Sequence, residues 1–147
     1  ALPVGHYVTE EDRPAMGGRF RDDPMLRAFL EFALSLFRRG VYQRDFNRGN
    51  FLVSRGAEGE FRFSMVDINR LQFRRVTPAM VAMAFTRFGA ERCPGLIERL
   101  TVEFGTRLGY GEEKCRRAAA RCMARSVRME RRRKLKRKLR GWLKGRH

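Results

Sequence analysis

Three side chains near the middle of the chain have the types and spacing to move a charged group: Asp45, Asn50 and Asp67. Asp45 stands in the polar run Gln43-Arg44-Asp45-Phe46-Asn47-Arg48-Gly49-Asn50, and Asp67 follows a later apolar run. Transfer of a phosphoryl group needs an acceptor hydroxyl aligned with the phosphorus and a means of neutralising phosphate charge. A carboxylate beside that hydroxyl orients it and takes its proton, and this role fits Asp45. Magnesium prefers hard oxygen ligands, usually one or two carboxylates completed by phosphates and water. Asp67 can supply the carboxylate and Asn50 an amide oxygen. Arg44, Arg48 and Arg70 lie in or beside the same loop, and a guanidinium fork suits anionic sugar or phosphate oxygens. The competing reading is structural. In it Asp45, Asn47 and Asn50 are turn formers, Asp67 caps a strand, and the arginines are solvated or pair with loop carboxylates.

The elements that must position these residues are readable from periodicity. Asp22 or Asp23 suits an N-cap and Pro24 the first helical position. Leu26, Phe29, Leu30, Ala33, Leu36 and Phe37 recur at helical spacing. Arg38 and Arg39 suit the negative helix end, and Gly40 suits the position after the C-cap. Val41-Tyr42 reads as a short extended piece and Gln43 to Gly49 as a loop. Phe51-Leu52-Val53, a turn at Gly56 to Glu60, and Phe61, Phe63, Met65 and Ile68 predict a hairpin ending near Asp67. Such a hairpin returns Asp67 to the side of the cleft where the loop holds Asp45 and Asn50. A helix is predicted after Thr77-Pro78, with a break at Pro94-Gly95. Another runs from Leu96 to near Gly109, and a last one from about Glu112 into the tail. Upstream, His6 to Thr9 is β-prone and Glu10 to Asp23 reads as loop. The fold class is mainly α with a small β-hairpin.

An Asp followed five residues later by an Asn, between a helix and a hairpin, matches the catalytic-loop pattern H-R-D-x-x-x-x-N of protein kinases. Asp67 stands where the metal-binding Asp of the D-F-G motif would be. The segment Tyr42 to Val53, followed by Met65-Val66-Asp67-Ile68-Asn69-Arg70, resembles the lipopolysaccharide core kinases, the Kdo/heptose kinase family. In that family an Asp-aliphatic-x-Arg pattern replaces D-F-G, and here that is Asp67-Ile68-Asn69-Arg70. The resemblance covers roughly residues 25–110, with its sharp motifs in 41–70. It implies the C-terminal lobe of a protein-kinase-like α+β fold, and phosphorylation of an inner-core sugar, Kdo or heptose, with ATP and Mg2+. It implies Asp45 as the catalytic residue, Asn50 and Asp67 as metal ligands, and Arg44, Arg48 and Arg70 as substrate contacts.

Two departures qualify it. Gln43 replaces the catalytic-loop His, whose role in kinases is usually structural, so Gln is expected to be tolerated. There is no G-x-G-x-x-G, and no lysine precedes Lys114. The phosphate-gripping N-terminal lobe is therefore expected to lie outside this chain, with the hinge near Tyr7 to Glu11. On this division 1–110 is the kinase-like lobe and 111–147 a basic C-terminal helix and tail. The piece alone is expected to be inactive. The alternative is a non-catalytic, pseudokinase-like module that binds an anionic membrane surface or glycan.

Charge supports the division. Residues 1–113 hold 17 Arg against 15 acids, a net +2. Residues 114–147 hold 16 Lys plus Arg against Glu130 alone, so +15 of the total +17 sits in the tail. Leu135, Leu139, Trp142 and Leu143 follow helical spacing among Arg132, Lys136 and their basic neighbours. A basic amphipathic helix of this kind lies on anionic lipid, and Arg132, Lys136, Leu139 and Trp142 are its expected contacts. Nucleic acid is the disfavoured partner, because the apolar stripe has an obvious use at a membrane and no helix-turn-helix or aromatic-basic interleaving stands outside the tail; the bland alternative is a solvated, partly frayed helix. No obligate protein partner is evident. Cys93, Cys115 and Cys122 form no C-x-x-C pair and read as reduced packing residues, which points to a reducing compartment. No bilayer-spanning run and no leader is read in the sequence. The expected location is cytoplasmic, peripheral on the inner face of the bacterial inner membrane.

Overall fold

A computed structural model describes residues 1–4, 22–90, 93 and 95–144, with backbone alone for 141–144. The extended run expected at His6 to Thr9 and most of the loop after it lie outside the described residues. The elements are β1 (Leu2–Pro3), α1 (Pro24–Arg38), β2 (Val41–Gln43), β3 (Phe51–Arg55), β4 (Phe61–Met65), β5 (Leu71–Phe73), α2 (Pro78–Phe88), α3 (Leu96–Arg107) and α4 (Glu112–Lys144). Short 3-10 turns, Arg48–Asn50 and Ile68–Arg70, precede β3 and β5. The chain is mainly helical with small antiparallel sheets.

Helix α1 starts as its sequence dictates. The Asp23 carboxylate accepts a hydrogen bond from the Leu26 N–H at 2.9 Å, satisfying one of the orphan donors of the first turn. Its apolar stripe buries Met25, Leu26, Phe29, Leu30, Ala33, Leu34 and Phe37. The helix ends at Gly40, in the left-handed region at φ +71°. Helix α2 is capped by the Thr77 hydroxyl, which accepts from the Met80 N–H. It ends at Phe88, earlier than Pro94-Gly95 implies, because Gly89 takes φ +100° and terminates it first.

The hairpin β3–β4 is present, with Phe51 opposite Met65 and Arg55 opposite Phe61. Two strands add to the expectation. β1 pairs with β3, making a three-stranded sheet, and β5 pairs with β2, making a second sheet of two strands. Two or three residues are too few to display a period of two, so these strands carry no periodic signal.

The core between α1, the hairpin and α2–α3 is dominated by phenylalanine. The Phe29 ring stacks on Phe88 at 5.0 Å and meets Phe51 edge-on at 5.2 Å. Phe85 meets Phe104 edge-on at 4.8 Å, tying α2 to α3. Such pairs add roughly 0.5–1.5 kcal/mol each beyond their area burial.

Helix α4 is half core and half surface. Cys115 and Ala119 are buried, and Cys122 is partly buried, with its Sγ 3.5 Å from the Thr86 hydroxyl. Close approach of α4 to α3 depends on Gly105, where an added Cβ would stand 2.2 Å from the Cys115 Sγ. From Val127 onward the described side chains are exposed. This stretch projects about 25 Å at ~1.5 Å per residue. At ~100° per residue, Leu135 and Leu139 lie about 120–160° around the helix from the Cys115 face. They are 59% and 52% exposed, so the tail's apolar stripe is turned away from the core. Among the described residues no helix is long and apolar enough to cross a membrane.

This packing has a direct test. Gly105→Ala should destabilise the fold by about 1–3 kcal/mol, as overpacking does, read as a fall in urea midpoint. Removing the obstructing sulfur in Gly105→Ala/Cys115→Ala should restore part of that loss. A double variant less stable than the sum of the two singles would show that α3 and α4 do not meet this way.

Candidate active site

The site is built where two chain connections face each other. One runs from β2 to β3, residues 44–50; the other runs from β4 to β5, residues 66–70. Because β2 pairs with β5 and β3 with β4, both connections must cross at the same place. Backbone bonds extend each ladder into them. The Val66 N–H donates to the Asn50 carbonyl at 2.9 Å, and the Arg44 N–H to the Arg70 carbonyl at 3.1 Å. Asn50 is thereby registered beside Val66 and Asp67, while Asp45 is carried past the end of β2 toward Asn69 and Arg70.

Gln43 ties the two connections together. It is 1% exposed. Its Nε2 donates to the Asp67 carbonyl at 2.7 Å, and its Oε1 accepts from the Asp45 N–H at 3.4 Å. One buried amide therefore fixes the backbones of both aspartates. A buried amide left unpaired would cost about 1–3 kcal/mol, so this geometry is strongly specified.

Phe46 fixes the loop from the other side. It is fully buried between the polar residues Asp45 and Asn47, with its ring centroid 4.7 Å from Phe51, 5.7 Å from Phe37 and 5.9 Å from Phe85 and from Phe88. Asn47 then shapes the turn, its Oδ1 accepting from the Gly49 N–H at 2.8 Å. The structural reading of Asn47 is thus correct, and it coexists with the arrangement around it.

Asn50 is oriented by a bond from its Nδ2 to the Asp45 carbonyl at 2.9 Å. Because a carbonyl can only accept, the amide must turn its NH2 inward, which leaves Oδ1 on the other side as an acceptor. Asp67 adopts φ 54°, ψ 57°, the one non-glycine among the described residues with positive φ. A left-handed residue costs about 1–2 kcal/mol, least for Asp and Asn. Its side chain makes no cap bond to the turn that follows, and it is exposed, so its carboxylate is not used up by the fold. One exposed carboxylate and one amide oxygen form the sparse donor set that magnesium accepts when phosphates and water complete its shell. Among the described residues no group of three or more His, Cys, Asp or Glu is placed to hold a metal. A cation here would depend on ligands brought by its substrate.

Arg44, Asp45 and Arg70 line one open cleft of 710 Å³, together with Asn69 and Arg87. Arg48, Asn50 and Asp67 are not among its lining residues; Arg48 sits partly buried on the 3-10 turn before β3. Arg87, on α2, also donates through Nη1 to the Arg44 carbonyl, pinning the loop. No signal in the sequence marks Arg87, because its approach is decided by how α2 packs. In the tail, Arg132, Lys136 and Leu139 are exposed on α4, while the Trp142 side chain lies outside the described residues. No protein-family model, no curated protein and no solved structure matches this chain.

The Gln43 bridge can be tested by substitution. Gln43→Leu leaves the Asp67 carbonyl and the Asp45 N–H unpaired and should cost about 1–3 kcal/mol in chemical denaturation. Amide exchange at Asp45 should accelerate with it. Gln43→His should lose less, because an imidazole N–H can donate to the same carbonyl. Equal stability in all three proteins would remove Gln43 from the centre of the site.

Proposed function

We propose that the chain carries the catalytic loop of an ATP-dependent phosphotransferase of the lipopolysaccharide core kinase type, acting on an inner-core sugar such as Kdo or heptose. The observation that carries the reading is the crossing of the two connections. It brings Asp45 to a cleft edged by arginines and sets Asn50 in register beside Asp67, with Gln43 holding both aspartates. Turn formation alone accounts for Asn47, but it gives no reason for an exposed left-handed Asp67 or for a buried bridge between two polar loops.

In this reading Asp45 orients the acceptor hydroxyl and takes its proton. Arg44, Arg70 and Arg87 converge on the same cleft, and their guanidinium groups bind the anionic oxygens of the acceptor. Asn50 Oδ1 and the Asp67 carboxylate would hold Mg2+, which neutralises phosphate charge when bound. Gln43 fits the structural role that the kinase-like pattern gives to the residue two before the catalytic Asp. The fold is then the C-terminal lobe of a protein-kinase-like structure.

The tail belongs to the same proposal. Its basic surface and outward Leu135 and Leu139 would hold the protein against anionic lipid on the inner face of the bacterial inner membrane, close to a lipid-anchored acceptor.

Two experiments check this reading. In the protein as its native gene encodes it, transfer of labelled phosphate from ATP to delipidated lipopolysaccharide core should fall by about 10³-fold or more in Asp45→Ala and in Asp67→Ala, a loss typical of removing catalytic machinery. Undiminished transfer in both would sink the assignment, and glycan binding without transfer in the unaltered protein would mark a non-catalytic module instead. For the tail, Leu135→Asp/Leu139→Asp should abolish co-sedimentation with phosphatidylglycerol vesicles while leaving binding to nucleic acid intact. Trp142→Ala should weaken vesicle binding in the same direction. Vesicle binding indifferent to both changes would show that the charge alone is at work.

A further inference from the structure

Two pairs of adjacent arginines meet away from the Asp45 cleft. Arg38 and Arg39 close α1, and Arg74 and Arg75 follow β5. The backbone brings them together. The Arg74 N–H donates to the Gly40 carbonyl at 2.8 Å. Gly40 has φ +71°, and a Cβ there would stand 3.1 Å from the Arg74 carbonyl oxygen. Glycine is therefore what lets the two segments lie this close.

The four arginines border an open cleft of 470 Å³ with Phe37, Gly40 and Val76 among its lining. Among the described residues no carboxylate lines it. Glu31, at the Arg107 edge, is already engaged, its two carboxylate oxygens accepting from Arg107 at 2.6 and 2.9 Å. That bond is the main reason its carboxyl titrates below the ordinary value. Among the described residues Arg38, Arg39 and Arg74 form no salt bridge, although Arg38 stands near enough to Glu31 for its charge to help lower that carboxyl, and Arg75 lies over the Tyr110 ring at 5.1 Å. The end of α1 offsets part of the repulsion at Arg38 and Arg39 through its negative dipole. Arg74 and Arg75 have no such help.

We propose that this cleft binds a compact anion with two or more linked phosphates. Each guanidinium fork takes two oxygens in one plane, and pairs presented from two opposed segments suit neighbouring phosphoryl groups better than a single carboxylate. The ligand is either a soluble polyphosphate or the diphosphate head of a lipid, and these share the chemistry the cleft reads. The site does not rest on the phosphotransferase reading, because the two clefts have no lining residue in common.

Calorimetric titration of the full chain with inorganic triphosphate, at constant ionic strength, tests the assignment. One saturable site is expected, with pyrophosphate weaker and orthophosphate weaker still. Arg74→Ser/Arg75→Ser should weaken triphosphate at least tenfold. Arg74→Lys/Arg75→Lys, which keeps the charge but not the fork, should weaken it several-fold. Arg128→Ser/Arg131→Ser removes the same charge from α4 and should change it less than twofold. Arg38→Ser/Arg39→Ser tests the site from its other segment should the first pair fold poorly. Vesicles doped with a diphosphate-headed lipid form the second arm: tighter retention there than of triphosphate identifies the lipid source, and the reverse identifies a soluble ligand. Binding that falls equally in the α4 pair, or that persists in both cleft pairs and falls in Arg70→Ser, overturns the proposal.

Discussion

The arrangement depends on one buried ring in a polar loop. Phe46 lies between Asp45 and Asn47 in sequence, yet it is fully buried among phenylalanines from α1, β3 and α2. Truncating such a ring costs about 3–5 kcal/mol, far more than the flanking polar turn bonds supply. A loop of this composition would otherwise be free to sample many conformers. The ring converts it into part of the core surface, with its polar neighbours held at the edge.

Burial sets the position of the loop, and hydrogen bonding sets its fine geometry. Gln43, Asn47 and Asn50 each use a side-chain amide to hold backbone inside the two connections. The amides take opposite parts: Gln43 both donates and accepts, Asn47 accepts, and Asn50 donates. Only Gln43 among them is buried, so its bonds are worth more than they would be in water and its unpaired groups would cost more. Asp45 and Asp67 contribute only backbone groups to these bonds. Their carboxylates are spared from holding the fold, which is the condition for using them on a ligand.

The charge of the molecule is divided in a way that composition alone understates. The excess lies on α4, but its two apolar stripes point in different directions. Cys115, Ala119 and Cys122 anchor the first part on α2 and α3, and Leu135 and Leu139 face away. Taken whole, the helix therefore has little net amphipathicity, although each half has its own face. The basic tail continues the helix that packs on the core, without an intervening linker.

Much of this was legible in the residues themselves. Asp23-Pro24, Thr77-Pro78 and Gly40 mark helix ends because caps are local chemistry, and the apolar spacing of α1 fixes its buried face. The hairpin is equally local. The spacing of Asp45, Asn50 and Asp67, with the hairpin between them, places these types in two loops on one side of a cleft, but it does not give the bonds that join the loops. Tertiary structure decided those, through the pairing of β5 with β2; β5, like β1, is too short to have a pattern of its own and exists only because a partner strand is there. It also decided which backbone groups Gln43 bridges, that Arg87 reaches the cleft from α2, and that Arg38-Arg39 and Arg74-Arg75 share one cleft. Each of these is a contact between residues far apart in the chain, and a sequence carries distance along the chain, not distance through space.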